Sequence, residues 1–146
     1  MQYSVIKEFT FEAGHRVLGH AGKCQYLHGH SYKGHVRVSA DRLDHLGMVV
    51  DFADVGAAIK PLVAQWDHTL ILADADPFAD LLEREGQEVR RLAGNATVEI
   101  MARVLFDKLS QRLDSMALWV EEVVLWETAT ACAVVTRPAG AGHAAR

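Results

Sequence analysis

The segment His28-Gly29-His30-Ser31-Tyr32-Lys33-Gly34-His35-Val36-Arg37-Val38-Ser39-Ala40 reads as one long extended strand, and the rest of the chain is arranged around it. Side chains of a strand alternate between two faces, so Tyr32, Val36 and Val38 share a face with His28 and His30. Two imidazoles on one face, two residues apart, are placed as a pair of ligands to a single metal ion would be. Upstream, Tyr3 to His15 alternates too, with Val5, Phe9, Phe11, Ala13 and His15 on one side and Ser4, Glu8, Thr10 and Glu12 mainly on the other. That is the pattern of a half-buried strand. Antiparallel pairing of the two segments brings His15 close to His28 and His30. Three neutral imidazoles suit Zn²⁺, and three protein ligands rather than four leave a position for water or a substrate oxygen. A His-rich turn with a buried free cysteine is the competing reading of the same residues. His35 has the opposite parity and makes a poor fourth ligand.

Between the two strands, the stretch from Arg16 to Lys23 contains Gly19 and Gly22, has no sustained period and reads as a loop, with His20 solvated. Cys24 follows, four residues before the histidine pair. A nearby cation favours a thiolate, which makes this thiol a candidate acid–base group. The second cysteine, Cys132, lies within a strand pattern and reads as a small core residue. A reducing compartment makes a disulfide between them unexpected.

Downstream, Phe52, Val55, Ile59, Leu62, Val63 and Trp66 follow helical spacing. Asp51 or Asp54 is available as cap, Pro61 is a potential bend, and the helix should end near Trp66-Asp67-His68. Asp76-Pro77 starts a short helix through Phe78, Leu81 and Leu82, interrupted by Gly86. Val89 to Leu92 fits either a last helical turn or a brief extended piece. Val98, Met101, Ala102, Leu105, Leu109 and Leu113 mark another helix, with Asn95 or Thr97 as cap. Leu118 to Glu127 and Ala131 to Thr136 read as strands around the turn Thr128-Ala129-Thr130. The order predicts an α+β fold: a four-stranded antiparallel sheet in ββααββ order, with helices on one face. One domain over 1–137 and a disordered tail over 138–146 are expected. Two open sheet edges, together with Trp119 and Trp126, predict a homo-oligomer.

With 146 residues, half of them apolar, the chain has material for a proper core. Fifteen basic against nineteen acidic residues give a formal charge of −4, which argues against a general nucleic-acid binder. No apolar run is long enough to span a membrane and the first residues lack a secretory pattern, so a cytoplasmic protein is expected.

Three further groups are candidates for chemistry. Asp67-His68 is a carboxylate–imidazole pair that suits general acid–base work, or else a histidine at the negative end of a helix. Glu127, at the end of an apolar strand, can accept two hydrogen bonds from a planar ring carrying an amino group and a ring N–H, or is a rim carboxylate. Thr97 and Glu99 match either a substrate contact or ordinary helix-start chemistry.

Together, Phe9-Thr10-Phe11-Glu12-Ala13-Gly14-His15, Lys23-Cys24, Leu27-His28-Gly29-His30, Gly47-Met48-Val49-Val50-Asp51-Phe52, Asp67-His68, Asn95-Ala96-Thr97-Val98-Glu99 and Glu127-Thr128 resemble, in this order, the 6-pyruvoyl-tetrahydropterin synthase family. The resemblance spans Tyr3 to Thr136. Three residues between the cysteine and His-Gly-His are similar to the 6-carboxytetrahydropterin synthase branch of bacterial queuosine biosynthesis. The resemblance implies a tunnelling fold whose subunits join through their sheets into a barrel, commonly a hexamer of two trimers with sites between subunits. It further implies that 7,8-dihydroneopterin triphosphate is converted to 6-carboxytetrahydropterin with loss of acetaldehyde and triphosphate. On matching positions, His15, His28 and His30 would hold zinc, Cys24, Asp67 and His68 would move protons, and Glu127 would anchor the pterin, with Thr97 and Glu99 as further substrate contacts. Arg16 and Lys23 are the basic residues nearest in sequence for the triphosphate. Ala96, Ile100 and Leu72 depart from the family, which usually has proline, asparagine and asparagine there. A pyruvoyl-forming sister enzyme, a pterin aldolase, and a non-catalytic zinc- or pterin-binding module are the alternatives.

Overall fold

Strands β1 (Tyr3–His15) and β2 (His28–Ala40) pair antiparallel along their whole length, from Tyr3 opposite Ala40 to His15 opposite His28. These bounds match those read from the alternation. Phe11, Tyr32, Val36 and Val38 are buried on the inner face, while Glu8, Glu12, Ser31 and Lys33 are exposed on the other. Phe9 lies across the ladder from Gly34, where a side chain would meet the Phe9 ring and force it to shift. The computed structural model describes residues 1–140. Of the expected disordered tail, residues 141–146 lie outside the described residues.

Helix α1 (Phe52–Trp66) is capped by Asp51, whose side chain accepts from the Ala53 N–H, and it runs on through Pro61. Helix α2 (Pro77–Arg84) is capped by Asp76, with Pro77 in the first turn. Helix α3 (Val98–Leu113) is capped by Thr97. The inner faces of α1 and α3 bury Val55, Ile59, Leu62, Trp66, Met101, Leu105 and Leu109 against the sheet in one core. None of the helices among the described residues is long and apolar enough to cross a membrane.

The sheet corrects one expectation. It has six strands, not four, in the order β4-β3-β1-β2-β5-β6. The four anticipated strands pair antiparallel, with β5 (Leu118–Thr128) on β2 and β6 (Ala131–Thr136) on β5. Beyond β1 the sheet continues in parallel through β3 (Thr69–Ala73) and β4 (Val89–Leu92), so the sheet is mixed. Thr69-Leu70-Ile71-Leu72-Ala73 is nearly all buried, and an interior parallel strand shows no alternation that would mark it. The Val89–Leu92 segment, undecided from its sequence, is settled as a strand by pairing with β3. Cys132 is exposed rather than a core residue, because it pairs with Trp126 on the outward parity. Trp119 is already buried within the chain, with its indole N–H donating to Glu121 at 2.6 Å, so it does not call for a partner's cover.

Candidate active site

The register of β1 and β2 sets His15 opposite His28, and Ala13 opposite His30, at the end of the pair. All three imidazoles reach the same place: one ring nitrogen from each lies within 4.8 Å of the others. His15 is buried, and His28 and His30 are half-buried. Two of the rings are oriented by backbone. His15 Nδ1 donates to the Ala96 carbonyl at 2.6 Å, and His28 Nδ1 donates to the Tyr26 carbonyl at 2.6 Å. A neutral ring that donates through Nδ1 carries its lone pair on Nε2. Such outer bonds fix the tautomer and aim of metal-ligating histidines.

Burial holds His15 below the ordinary histidine range, opposed by the Ala96 bond and the Glu127 carboxylate. His30 is lowered by burial as well, against the pull of Glu127. His15 Nε2 and His30 Nε2 stand 3.1 Å apart, and Glu127 Oε1 lies 3.3 Å from the first and 3.8 Å from the second. Lone pairs therefore converge where neutral rings leave few protons to share, an arrangement a cation would relieve. The donor set is compatible with a metal ion. Among the described residues this group contains no cysteine, so Cys24 does not close a fourth corner.

Tyr32 completes the inner wall. Its ring stacks on Phe11 at 4.9 Å and meets His15 and His30 edge-on. Its hydroxyl is buried with no hydrogen-bond partner among the described residues, and burial, then the Glu127 charge, raises its pKa.

Asp67 and His68 lie between α1 and β3. Asp67 Oδ2 accepts from His68 Nδ1 at 2.9 Å, while Oδ1 accepts the Glu12 N–H at 2.9 Å. The Glu12 bond, then His68, holds the Asp67 carboxyl below the usual carboxylate range. His68 has a left-handed backbone (φ 58°), an uncommon state for a non-glycine residue, and its N–H donates to the Glu12 carbonyl at 2.6 Å. Its ring is exposed and lines a depression of about 360 Å³ with Glu12, Gly14, Gly29, His30 and Ser31. His30 thus links the triad to the Asp67–His68 pair.

The remaining candidates are placed differently. Cys24 is half-buried on a single 3-10 turn (Lys23–Gln25), outside the nitrogen cluster. Thr97 accepts the Ile100 N–H at 3.4 Å as the α3 cap, and Glu99 is exposed in the first turn. Both follow Ala96, the residue that orients His15. Arg16 is committed elsewhere. Its guanidinium makes a two-pronged pair with Asp76, at 2.7 and 2.5 Å, and stacks on Phe78 at 3.7 Å. The approach of Glu127 to the triad went unread in the sequence, although its parity with Val123 and Leu125 marks the inner face.

The family model of 6-pyruvoyl tetrahydropterin synthase matches residues 4–138. The chain belongs to the 6-pyruvoyl tetrahydropterin synthase family. It is thus an enzyme of a pterin-processing family with lyase-type activity. A relative from Rickettsia bellii named 6-carboxy-5,6,7,8-tetrahydropterin synthase is 38% identical over 130 residues, covering 84% of this chain and 91% of that protein. One of the same name from Aquifex aeolicus is 36% identical, covering 89% and 95%. Among solved structures, an uncharacterized protein of Wolinella succinogenes superposes with a TM-score of 0.82 at 25% identity, covering 94% of this chain and 99% of that one. Plasmodium vivax 6-pyruvoyl tetrahydropterin synthase superposes with a TM-score of 0.74 at 18% identity, covering 94% and 98%, a likeness of fold. The family's tunnelling fold, expected from the motifs, is the fold observed.

Proposed function

We propose that the chain is a 6-carboxy-5,6,7,8-tetrahydropterin synthase. It would convert 7,8-dihydroneopterin triphosphate to 6-carboxytetrahydropterin, acetaldehyde and triphosphate in queuosine or another deazapurine pathway. The observation that carries this reading is the convergence of three imidazole nitrogens beside Glu127, in a chain similar over most of its length to relatives of that name. His15, His28 and His30 are the residues that would hold zinc. When bound, zinc supplies Lewis acidity that acidifies side-chain hydroxyls of the substrate and stabilises negative charge on their oxygens.

The chain's own groups supply the rest. Asp67 holds the His68 ring through Nδ1, leaving Nε2 as the atom that takes or returns a proton. Cys24 serves the other transfer, at a carbon of the substrate side chain. Glu127 accepts the amino and ring N–H groups of the pterin, and Thr97 and Glu99 border the substrate. With Arg16 engaged by Asp76, exposed Lys23 is the cation left nearby in sequence for the triphosphate. Residues 1–137 acting as one domain, a homohexamer built as a dimer of trimers, and a cytoplasmic location belong to the same reading.

Incubating the zinc-loaded protein with dihydroneopterin triphosphate and identifying the products by mass tests it. Acetaldehyde with the carboxy product is expected. A pyruvoyl product would point to the sister enzyme instead, a side-chain cleavage product to an aldolase, and pterin binding without turnover to a non-catalytic module.

A further inference from the structure

Asn95 precedes α3 but does not cap it, because Thr97 does. The Asn95 side chain reaches into the loop between β1 and β2 instead. Its Oδ1 accepts the Leu18 N–H at 2.8 Å and its Nδ2 donates to the Leu18 carbonyl at 2.8 Å. One amide thereby satisfies both backbone groups of one residue, which fixes orientation as well as distance. Val17, next in the chain, donates its N–H to the Cys24 carbonyl at 2.8 Å. A continuous line of bonds and backbone thus runs from Asn95 through Leu18 and Val17 to the thiol-bearing turn.

Past Arg16, which Asp76 holds, that loop has little else from other segments to hold it. Leu18 to Lys23 are exposed, and the turn carrying Cys24 has no buried residue. Other bonds to the backbone of residues 17–25 come from the loop itself: the His20 and Gln25 side chains bond Gly22 and Ala21, and the N–H groups of His20, Gln25 and Tyr26 donate to the carbonyls of Val17, Gly22 and Lys23. Among the described residues, Asn95 is the side chain of another segment that bonds the backbone of residues 17–25. The residue after Asn95 is Ala96, whose carbonyl receives His15 Nδ1. Two consecutive residues in front of α3 therefore tie one metal-site imidazole and the cysteine loop to a common frame.

We infer that Asn95 is a positioning residue, setting Cys24 relative to the His15 site by clamping the backbone of Leu18. The inference rests on the reading of Cys24 as a proton carrier, and misplacement of such a group by about 1 Å can cost roughly a hundredfold in rate. The test uses the full chain with Cys132→Ser, which leaves Cys24 as the one thiol. Asn95→Ala and Asn95→Asp are compared for zinc content, kcat and KM with dihydroneopterin triphosphate, the rate of Cys24 alkylation by iodoacetamide, and Leu18 amide exchange. Asn95→Ala is expected to keep its zinc and a KM within about twofold, to lose about tenfold or more in kcat, and to speed both alkylation and Leu18 exchange about tenfold. Asn95→Asp keeps an acceptor for the Leu18 N–H and should fall between. Unchanged alkylation and exchange in Asn95→Ala would overturn the clamp, whatever the turnover. A kcat loss that tracks zinc loss, or failure of both variants to fold, would make Asn95 part of the scaffold and overturn the inference too. Full turnover by Cys24→Ala would instead remove the thiol from the reaction, while the alkylation and exchange rates would still decide the clamp.

Discussion

Replacing Asp76 by asparagine removes one charge while keeping the shape of the side chain, at the point where the loop after β1 is fastened to α2. Asp76 is buried and uses three bonds: Oδ2 accepts Arg16 Nε, and Oδ1 accepts Arg16 Nη2 and the Phe78 N–H. An asparagine keeps one acceptor and so retains the helix cap, but its amide nitrogen then faces an Arg16 donor. The charge-assisted Nε bond of about 1.5–3 kcal/mol is lost, a donor is left facing a donor, and the Nη2 bond to the retained oxygen loses its charge assistance, partly offset by rehydration of Arg16, for a net cost of about 3 kcal/mol. For a chain of this size that corresponds to a Tm lower by about 10 °C. Arg16 also holds the Asp76 carboxyl below the usual carboxylate range. Because the folded value is the lower one, an unfolded carboxyl near 3.9, in round terms about 4, takes up its proton first as the pH falls. The stabilisation is therefore complete above about pH 4 and disappears as the pH drops through the depressed folded value. Thermal melts of both proteins by circular dichroism, at fixed protein and metal concentration, should differ by a constant amount near neutrality and converge in acid. A difference below about 3 °C, or one that persists unchanged at about pH 3, would refute the assignment of this pair as a stabilising clamp.

His28→Ala should purify without stoichiometric zinc by elemental analysis, and full occupancy would mean that the ligand set is wrong. Cys24→Ala should retain zinc and bind substrate while losing about a hundredfold or more in kcat; unchanged turnover removes the thiol from the mechanism. Gly34→Ala places a methyl 2.4 Å from Phe9 Cζ and 3.0 Å from the Val124 carbonyl, so stability should fall by about 1–3 kcal/mol in denaturant melts. A neutral result there would show that the Phe9 ring moves aside without strain.

Much of the architecture was legible because it is written in local period. The alternation over Tyr3–His15 and His28–Ala40 gave both strands and the shared face of the three histidines, and the helical stripes gave α1 and α3. β3 left no such mark, since Thr69–Ala73 is covered on both sides and nearly uniformly apolar. β4, four residues long, fits either period until a partner is known. Cys132 carried the right residue type for a core and the wrong parity for one.

The site divides in the same way. Residue types and spacing alone marked the candidate side chains: three histidines with a strand's parity, an adjacent carboxylate and imidazole, and a cysteine before the pair. Only the tertiary structure decided how they are aimed. The carbonyls of Ala96 and Tyr26 select the ring tautomers, Glu127 arrives from β5, and Arg16 is drawn away to Asp76. The physical reason is range. Periodicity is a property of neighbouring residues, whereas the direction of a hydrogen bond between His15 and Ala96, 81 positions apart, exists only once the sheet and α3 have met.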